Sequence, residues 1–236
     1  MSYKVIEVNA EKAFRKYDNY DIEKDFRYPY HLTPYQGCVF QCVYCFNYKK
    51  SKYWKNIEDR KNEIVVVKNM PELVSKEIKK LNMENHPKIV RIGTEAEIYG
   101  PAEKEYNITR KILEEFAKYG KMWKIYIPTK SDLILRDIDL LKKLNVVVTV
   151  TIVTTNEKLA KKLEPHAPSV KRRIEVLREL RKNKIPCRIR CEPFLEGISD
   201  VENINKIKNE LDLIEVKVKK LNYFTLDEVK KRAGIK

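Results

Sequence analysis

Three cysteines within eight residues are the part of this sequence best suited to chemistry. Cys38, Cys42 and Cys45 fall in Pro34-Tyr35-Gln36-Gly37-Cys38-Val39-Phe40-Gln41-Cys42-Val43-Tyr44-Cys45-Phe46, a C-x3-C-x2-C spacing. Three thiolates on one tight loop can hold three corners of an iron–sulfur cube, leaving the fourth iron open to a chelating small molecule. Gly37, and the lack of charged residues between Cys38 and Cys45, suit a loop wrapped closely around such a cluster. Zinc is the competing reading. Structural zinc sites usually take four ligands, often as paired C-x2-C units, so the fourth would have to be His31, Cys187 or Cys191. The chain has five cysteines, an odd number with three bunched, which in a reducing compartment points to metal rather than disulfides.

A loop of this kind needs a scaffold. The chain of 236 residues is long enough for one barrel-sized domain, and its 43% hydrophobic content can fill a core. Short β-branched runs predict strands at Ile89–Ile92, Lys124–Ile127, Val146–Val153, Ile185–Cys191 and Leu213–Val218, with a further strand near Tyr28–Thr33 before the cysteines. Amphipathic stripes between them predict helices: Val74, Ile78 and Leu81; Thr109, Ile112 and Phe116; Ile134, Ile138 and Leu141; Val170, Ile174 and Leu177. Pro71 fits a first helical turn, and Ser131 and Asp200 fit N-caps. Six strand-then-helix units imply right-handed crossovers and a parallel sheet. Six cannot close an eight-stranded barrel. The expected fold is therefore α/β, a partial (β/α)6 TIM-like barrel open on one side. Ligands in such sheets lie at the carboxyl ends of the strands. The expected organisation is one domain, with a core over about 28–220, an N-terminal extension over 1–27 and a C-terminal helix over 221–236. The run Glu63–Lys68 is also strand-like, as an edge strand or part of a hairpin.

Charge and hydropathy bound the setting. The formal net charge is +15, and charged residues, mostly Lys and Glu, make up 35%. That excess fits either a lysine-rich solvated surface, as in heat-adapted proteins, or an electrostatic footprint for nucleic acid. No apolar run reaches the ~18–20 residues of a membrane span. The polar, acid-containing N-terminal stretch reads as neither signal nor transit peptide, so a cytoplasmic protein without membrane attachment is expected.

C-x3-C-x-aromatic-C resembles the signature of the radical S-adenosylmethionine (SAM) superfamily, with Tyr44 as the aromatic. Further segments resemble its spore photoproduct lyase-like, or DNA-repair-photolyase-like, branch: Thr33–Phe46, Val67–Leu73, Ile92–Glu103, Pro128–Leu141, Leu163–Pro168 and Ile185–Asp200. The resemblance implies that Cys38, Cys42 and Cys45 ligate a 4Fe–4S cluster whose fourth iron is chelated by the SAM amine and carboxylate. One electron would cleave SAM to methionine and a 5′-deoxyadenosyl radical, which abstracts hydrogen from the substrate. It implies further that Tyr44 packs near the adenine and that Gly93-Thr94-Glu95 receives the methionyl ammonium. Lys130 would lie near the SAM carboxylate and Thr151 near the ribose. Glu192, ending the fifth strand, would face the same pocket. A ferredoxin or flavodoxin would supply the electron.

The chain also departs from those relatives. Spore photoproduct lyase places a hydrogen-donating cysteine near the end of its second strand, where this chain reads Arg91-Ile92-Gly93-Thr94-Glu95. Cys187 and Cys191 share a face of strand five. They are either small buried hydrophobes or, for Cys191, a substitute hydrogen donor. The aromatic and basic run Phe46-Asn47-Tyr48-Lys49-Lys50-Ser51-Lys52-Tyr53-Trp54-Lys55 suggests bases stacked on rings and phosphates met by lysines, hence a DNA lesion or an RNA base as substrate. A small molecule or peptide is the second reading. A non-enzymatic iron–sulfur or zinc protein is the third.

Overall fold

A computed structural model describes residues 2–21, 28–47 and 62–236. The sheet that positions everything else has seven strands. They are β2 (Arg15–Lys16), β3 (Tyr30–Leu32), β6 (Ile89–Ile92), β7 (Lys124–Thr129), β8 (Val146–Thr151), β9 (Cys187–Phe194) and β10 (Val216–Lys220). Their order is β10-β9-β8-β7-β6-β3-β2. The six strands from β3 to β10 run parallel, and only β2 is antiparallel, capping the β3 edge. The expected six-strand, unclosed α/β architecture is the one found.

The strand run Glu63–Val67 (β5) is not an edge of this sheet. It is the centre of a second sheet, parallel to β1 (Lys4–Val8) and antiparallel to β4 (Tyr35–Gln36). Its alternating buried face carries Ile64 and Val66. Because β4 directly precedes Gly37, this small sheet clamps the root of the cysteine loop. Long-range pairing of β1 with β5 was invisible to local periodicity.

Helices cover the outer face. They are α1 (Met70–Asn82), α2 (Pro101–Tyr106), α3 (Ile108–Tyr119), α4 (Ile138–Leu141), α5 (Glu157–Leu163), α6 (Val170–Lys182), α7 (Val201–Glu210) and α8 (Leu226–Ala233). The predicted stripes are the buried ones: Val74 and Ile78 on α1, Thr109, Ile112 and Phe116 on α3, and Val170 and Leu177 on α6. The stripe at Ile134–Leu141 is split. A 3-10 turn over Asp132–Asp137 precedes the short α4, and Ser131 caps it by accepting from the Leu133 amide at 3.2 Å. Asp200 stands at the N-cap position of α7, but its carboxylate accepts from no backbone amide of the helix. Its carboxylate is taken by the amide and hydroxyl of Thr155, which ties the β8 loop to the β9 loop.

Strand alternation divides the interior. Ile125 and Ile127 on β7, Val146, Val148 and Val150 on β8, and Cys187, Ile189 and Cys191 on β9 face the helix layer and are almost wholly buried. Arg188, Arg190 and Glu192 face the other way. The core's lower end is fixed by Trp123, which packs against Phe14, Tyr30 and Phe116 and donates its indole N–H to Asn82 at 2.7 Å. Replacing Trp123 by Ala should cost about 3–5 kcal/mol, as a large buried ring is lost. Denaturant unfolding with the slope unchanged would register this as a lowered midpoint.

Candidate functional site

One cavity opens at the carboxyl ends of the barrel strands. Cys38, Cys42 and Cys45 line it together with Tyr44, Gly93, Thr94, Glu95, Lys130, Thr151 and Glu192. Every predicted cluster-binding and SAM-contacting residue is therefore brought to one place. Cys191 is not. Its neighbours Arg190 and Glu192 line the cavity, while its own thiol is buried on the helix-facing side and donates to the Val153 carbonyl at 3.7 Å. Strand alternation, which also makes Cys187 and Cys191 share a face, is what turns it away.

The cysteine loop is held at several points. Gly37 leaves β4 with φ +79°, a left-handed turn that favours glycine. The Val43 amide donates to the Leu163 carbonyl at 2.9 Å, and the His166 amide to the Phe40 carbonyl at 3.3 Å. The loop is thus stitched to the α5–α6 connection. Burial pushes the thiols up, to about 12 for Cys38 and Cys42 and about 11 for Cys45. Backbone amides nevertheless aim at the sulfurs: Phe40 and Glu97 at Cys38, and Asn47 at Cys45. Donors so placed stabilise thiolates once a metal displaces their protons. Among the described residues no group of three or more His, Cys, Asp or Glu could hold a single metal ion. The trio with its amide donors could supply three thiolate ligands to a metal centre.

A buried ionic network backs this loop. Glu164 forms an ion pair with Arg173 at 2.5 Å, accepts from the Tyr44 hydroxyl, and lies 3.8 Å from the Lys130 ammonium. Burial alone would raise the Glu164 carboxyl, but Arg173 and Lys130 outweigh it and hold it below its ordinary value. Burial works against the charge on Lys130, and Cys42 and Glu164 overcome it to hold the ammonium above its usual value. Lys130 also lies 5.7 Å from the Tyr44 ring centre. The residues on either side of the predicted SAM position are therefore fixed to one another.

The β6 loop is equally constrained. Gly93 has φ +93°, and a Cβ there would come within 2.9 Å of Ile98. Thr94 is oriented by His31. The Tyr28 amide can only donate, and it meets Nε2 of His31 at 3.4 Å, so Nδ1 carries the proton and donates to the Thr94 hydroxyl at 2.8 Å. Thr94 itself lines the cavity. Glu95 faces the cavity but is tied at 2.6 Å to Arg15, in a partly exposed pair.

Sequence reasoning missed several lining residues. Glu97 accepts from the Thr129 hydroxyl at 2.7 Å, the Lys130 amide at 2.8 Å and the Tyr99 amide at 3.1 Å, and burial raises its carboxyl. It crosslinks the β6 and β7 loops. Phe46 and Asn47, which open the aromatic and basic run named above, also line the cavity: Asn47 donates to the Glu95 carbonyl at 2.6 Å, and Phe46 packs against Tyr223. Arg91 and Arg190 line the cavity from within the barrel. The alternation of Arg91 with the buried Val90 and Ile92 on one strand was the signal that could have found it. Most of the proposed nucleic-acid stretch, residues 48–55, lies outside the described residues.

Comparison with known proteins agrees with this geometry. The family model for the radical SAM superfamily matches residues 32–206. The chain is 34% identical over 176 residues to the uncharacterized protein MJ0683 of Methanocaldococcus jannaschii, covering 74% of this chain and 64% of that one. It is 30% identical over 201 residues to the uncharacterized protein ORF301 of Acidianus two-tailed virus, covering 82% and 63%. The chain thus spans a little under two thirds of the curated relatives it matches. Among solved structures, a spore photoproduct lyase variant with bound AdoMet and dinucleoside spore photoproduct superposes with a TM-score of 0.64 at 16% identity, over 91% of this chain and 63% of that one. Streptococcus suis SuiB bound to S-adenosylmethionine gives 0.57 at 18% identity, over 83% and 41%. The chain belongs to the radical SAM superfamily, and its fold is the partial barrel these structures share.

One consequence is measurable in the protein alone. Burial, with Arg91 nearby, lowers His31 from 6.5 to about 4. The folded protein keeps the ring neutral where the unfolded chain would protonate it. That stabilisation is complete above about pH 6.5 and is lost as pH falls from there towards 4. In His31→Asn, unfolding free energies between pH 4 and 7 should lose this slope; a profile parallel to the wild type would contradict the assignment.

Proposed function

We propose that this chain is a cytoplasmic radical SAM enzyme in which Cys38, Cys42 and Cys45 hold a 4Fe–4S cluster and SAM occupies the adjoining cavity. The observation that carries this is the convergence of the cysteine loop and the carboxyl ends of five strands, β6 to β10, on a single cavity. No helix among the described residues is long and apolar enough to cross a membrane. When bound, the cluster supplies the electron that cleaves SAM to methionine and a 5′-deoxyadenosyl radical for hydrogen abstraction.

The chain's own residues position the reactants. Glu95 takes the methionyl ammonium, and its exposed pair with Arg15 is cheap to give up. Lys130, held protonated, takes the carboxylate. The Thr94 O–H donates to an acceptor on the same ligand. Tyr44 packs near the adenine, Thr151 meets the ribose, and Glu192 borders the same space. The electron comes from a ferredoxin or flavodoxin. The N-terminal strand paired with β5 and the C-terminal helix packed on α5 support one catalytic unit built around the barrel.

Nucleic acid, as a DNA lesion or RNA base, is the substrate class favoured by the net charge of +15 and by the dinucleoside photoproduct bound in the similar lyase structure. The reaction is other than spore photoproduct repair, because β6 ends without a cysteine and Cys191 faces away from the cavity. Anaerobic reconstitution with iron and sulfide, dithionite reduction and addition of SAM should yield 5′-deoxyadenosine. Cys42→Ala should abolish it. A reconstituted wild-type cluster that neither binds nor cleaves SAM would sink the reading in favour of an electron-transfer or structural site.

A further inference from the structure

The barrel interior below the cysteine loop is rich in cations. Arg188 is fully engaged there: it donates to Thr149 at 2.9 Å and to the Tyr28 hydroxyl at 3.2 Å, and pairs with Glu215 at 2.7 Å. Arg190 is paired with Glu192. Arg91 differs. Among the described residues it makes no hydrogen bond and no ion pair, and its Nε is buried without a partner. The nearest ring, Tyr28, is 6.0 Å from its guanidinium carbon, the outer limit of a useful cation–π contact. Yet Arg91 lines the cavity.

A guanidinium in this position cannot escape its charge. Burial, and then the neighbouring Arg190, push it down to about 10, which still leaves it protonated at neutral pH. An apolar side chain at this half-buried position would avoid the cost of desolvating a guanidinium, which the nearby Glu192 carboxylate offsets only in part. A fixed cation facing a hollow, with its donors unfilled, is short of one partner: an oxyanion. The fork of N–H groups matches a carboxylate or phosphate, which it can grip in bidentate fashion.

Position separates this seat from the proposed SAM contacts. Arg91 lies within β6, two residues before Gly93 in the loop that leaves the strand, and so deeper in the barrel than Glu95. Tyr126, the register partner of Arg91 on β7, and Val147 beside it on β8 form an apolar cluster with Tyr28. Glu95 and Lys130 already provide for the amino-acid end of SAM at the rim. Resting on the radical SAM reading, we propose that Arg91 is a substrate-recognition residue that seats a carboxylate or phosphate group of the substrate deep in the barrel, beyond the SAM position. The substrate is therefore anionic at the end that enters first.

The test uses the full chain, before and after cluster reconstitution, with SAM present and no reductant. Inorganic phosphate and succinate are titrated by calorimetry into the wild type, Arg91→Gln and Arg91→Lys, and SAM affinity is measured in parallel. At least one anion should bind the wild type, weaken at least tenfold in Arg91→Gln and recover partly in Arg91→Lys, with SAM affinity unchanged within about twofold. Phosphate preference would mark a phosphorylated or nucleotide substrate, and succinate preference a carboxylic acid. Failure of both anions to bind, or equal binding by wild type and Arg91→Gln through surface lysines, overturns the proposal. Loss of SAM affinity in step with anion affinity also overturns it, by assigning Arg91 to the SAM carboxylate. Should Arg91→Gln fail to fold, Arg91→Lys decides alone, because it keeps the charge and removes the fork. None of these outcomes depends on SAM cleavage, so a protein that makes no 5′-deoxyadenosine fails the functional reading separately.

Discussion

The ion pair between Glu164 and Arg173 holds the site together. Both side chains are almost fully buried, and removing either partner would strand a charge at a cost of about 3–5 kcal/mol. Arg173 donates at the same time to the Pro168 carbonyl at 2.9 Å and the Thr151 carbonyl at 3.0 Å. Glu164 receives the Tyr44 hydroxyl and faces Lys130. One pair thus fixes the end of β8, the start of α6, the cysteine loop and the β7 loop relative to one another. Hydrophobic packing alone would leave those four loops free to shift, because each is a polar connection at the rim of the barrel.

The same logic runs through the β6 side of the cavity. Glu97 satisfies three donors from the β6 and β7 loops, and His31 orients Thr94. The cysteine loop is clamped at its root by β4 against β5 and at its far side by the α5–α6 connection. Rim residues are locked by hydrogen bonds while the barrel wall is locked by apolar side chains. Such preorganisation is what a site needs to hold a reactive ligand in one pose.

Much of this was legible in the sequence, for physical reasons that differ by element. Buried parallel strands are short β-branched runs, so β6, β7 and β8 read clearly. The cysteine trio and the Gly93 loop carry their spacing on their face. What local periodicity could not show was long-range pairing, as with β1 against β5, and the competition for Asp200 between its own helix and Thr155. Arg91 was hidden within an apolar-looking run, since four residues are too few for alternation to register. Of the two readings of Cys191, small buried hydrophobe and hydrogen donor, closeness to the strand end suggested the second, while parity with Glu192 places the thiol on the opposite, buried face. The buried Glu164 and Arg173 are ordinary charged residues on two helical segments until the fold brings them together.

The central claim is that the cavity beside Cys38, Cys42 and Cys45 holds a cluster whose open iron is chelated by SAM. The most direct test is electron paramagnetic resonance of the reduced, reconstituted full chain, recorded with and without SAM bearing a 15N-labelled amino group. The expected result is a 4Fe–4S signal whose line shape changes on adding SAM and which shows hyperfine coupling to the labelled nitrogen. A signal indifferent to SAM, with no coupling, would contradict it.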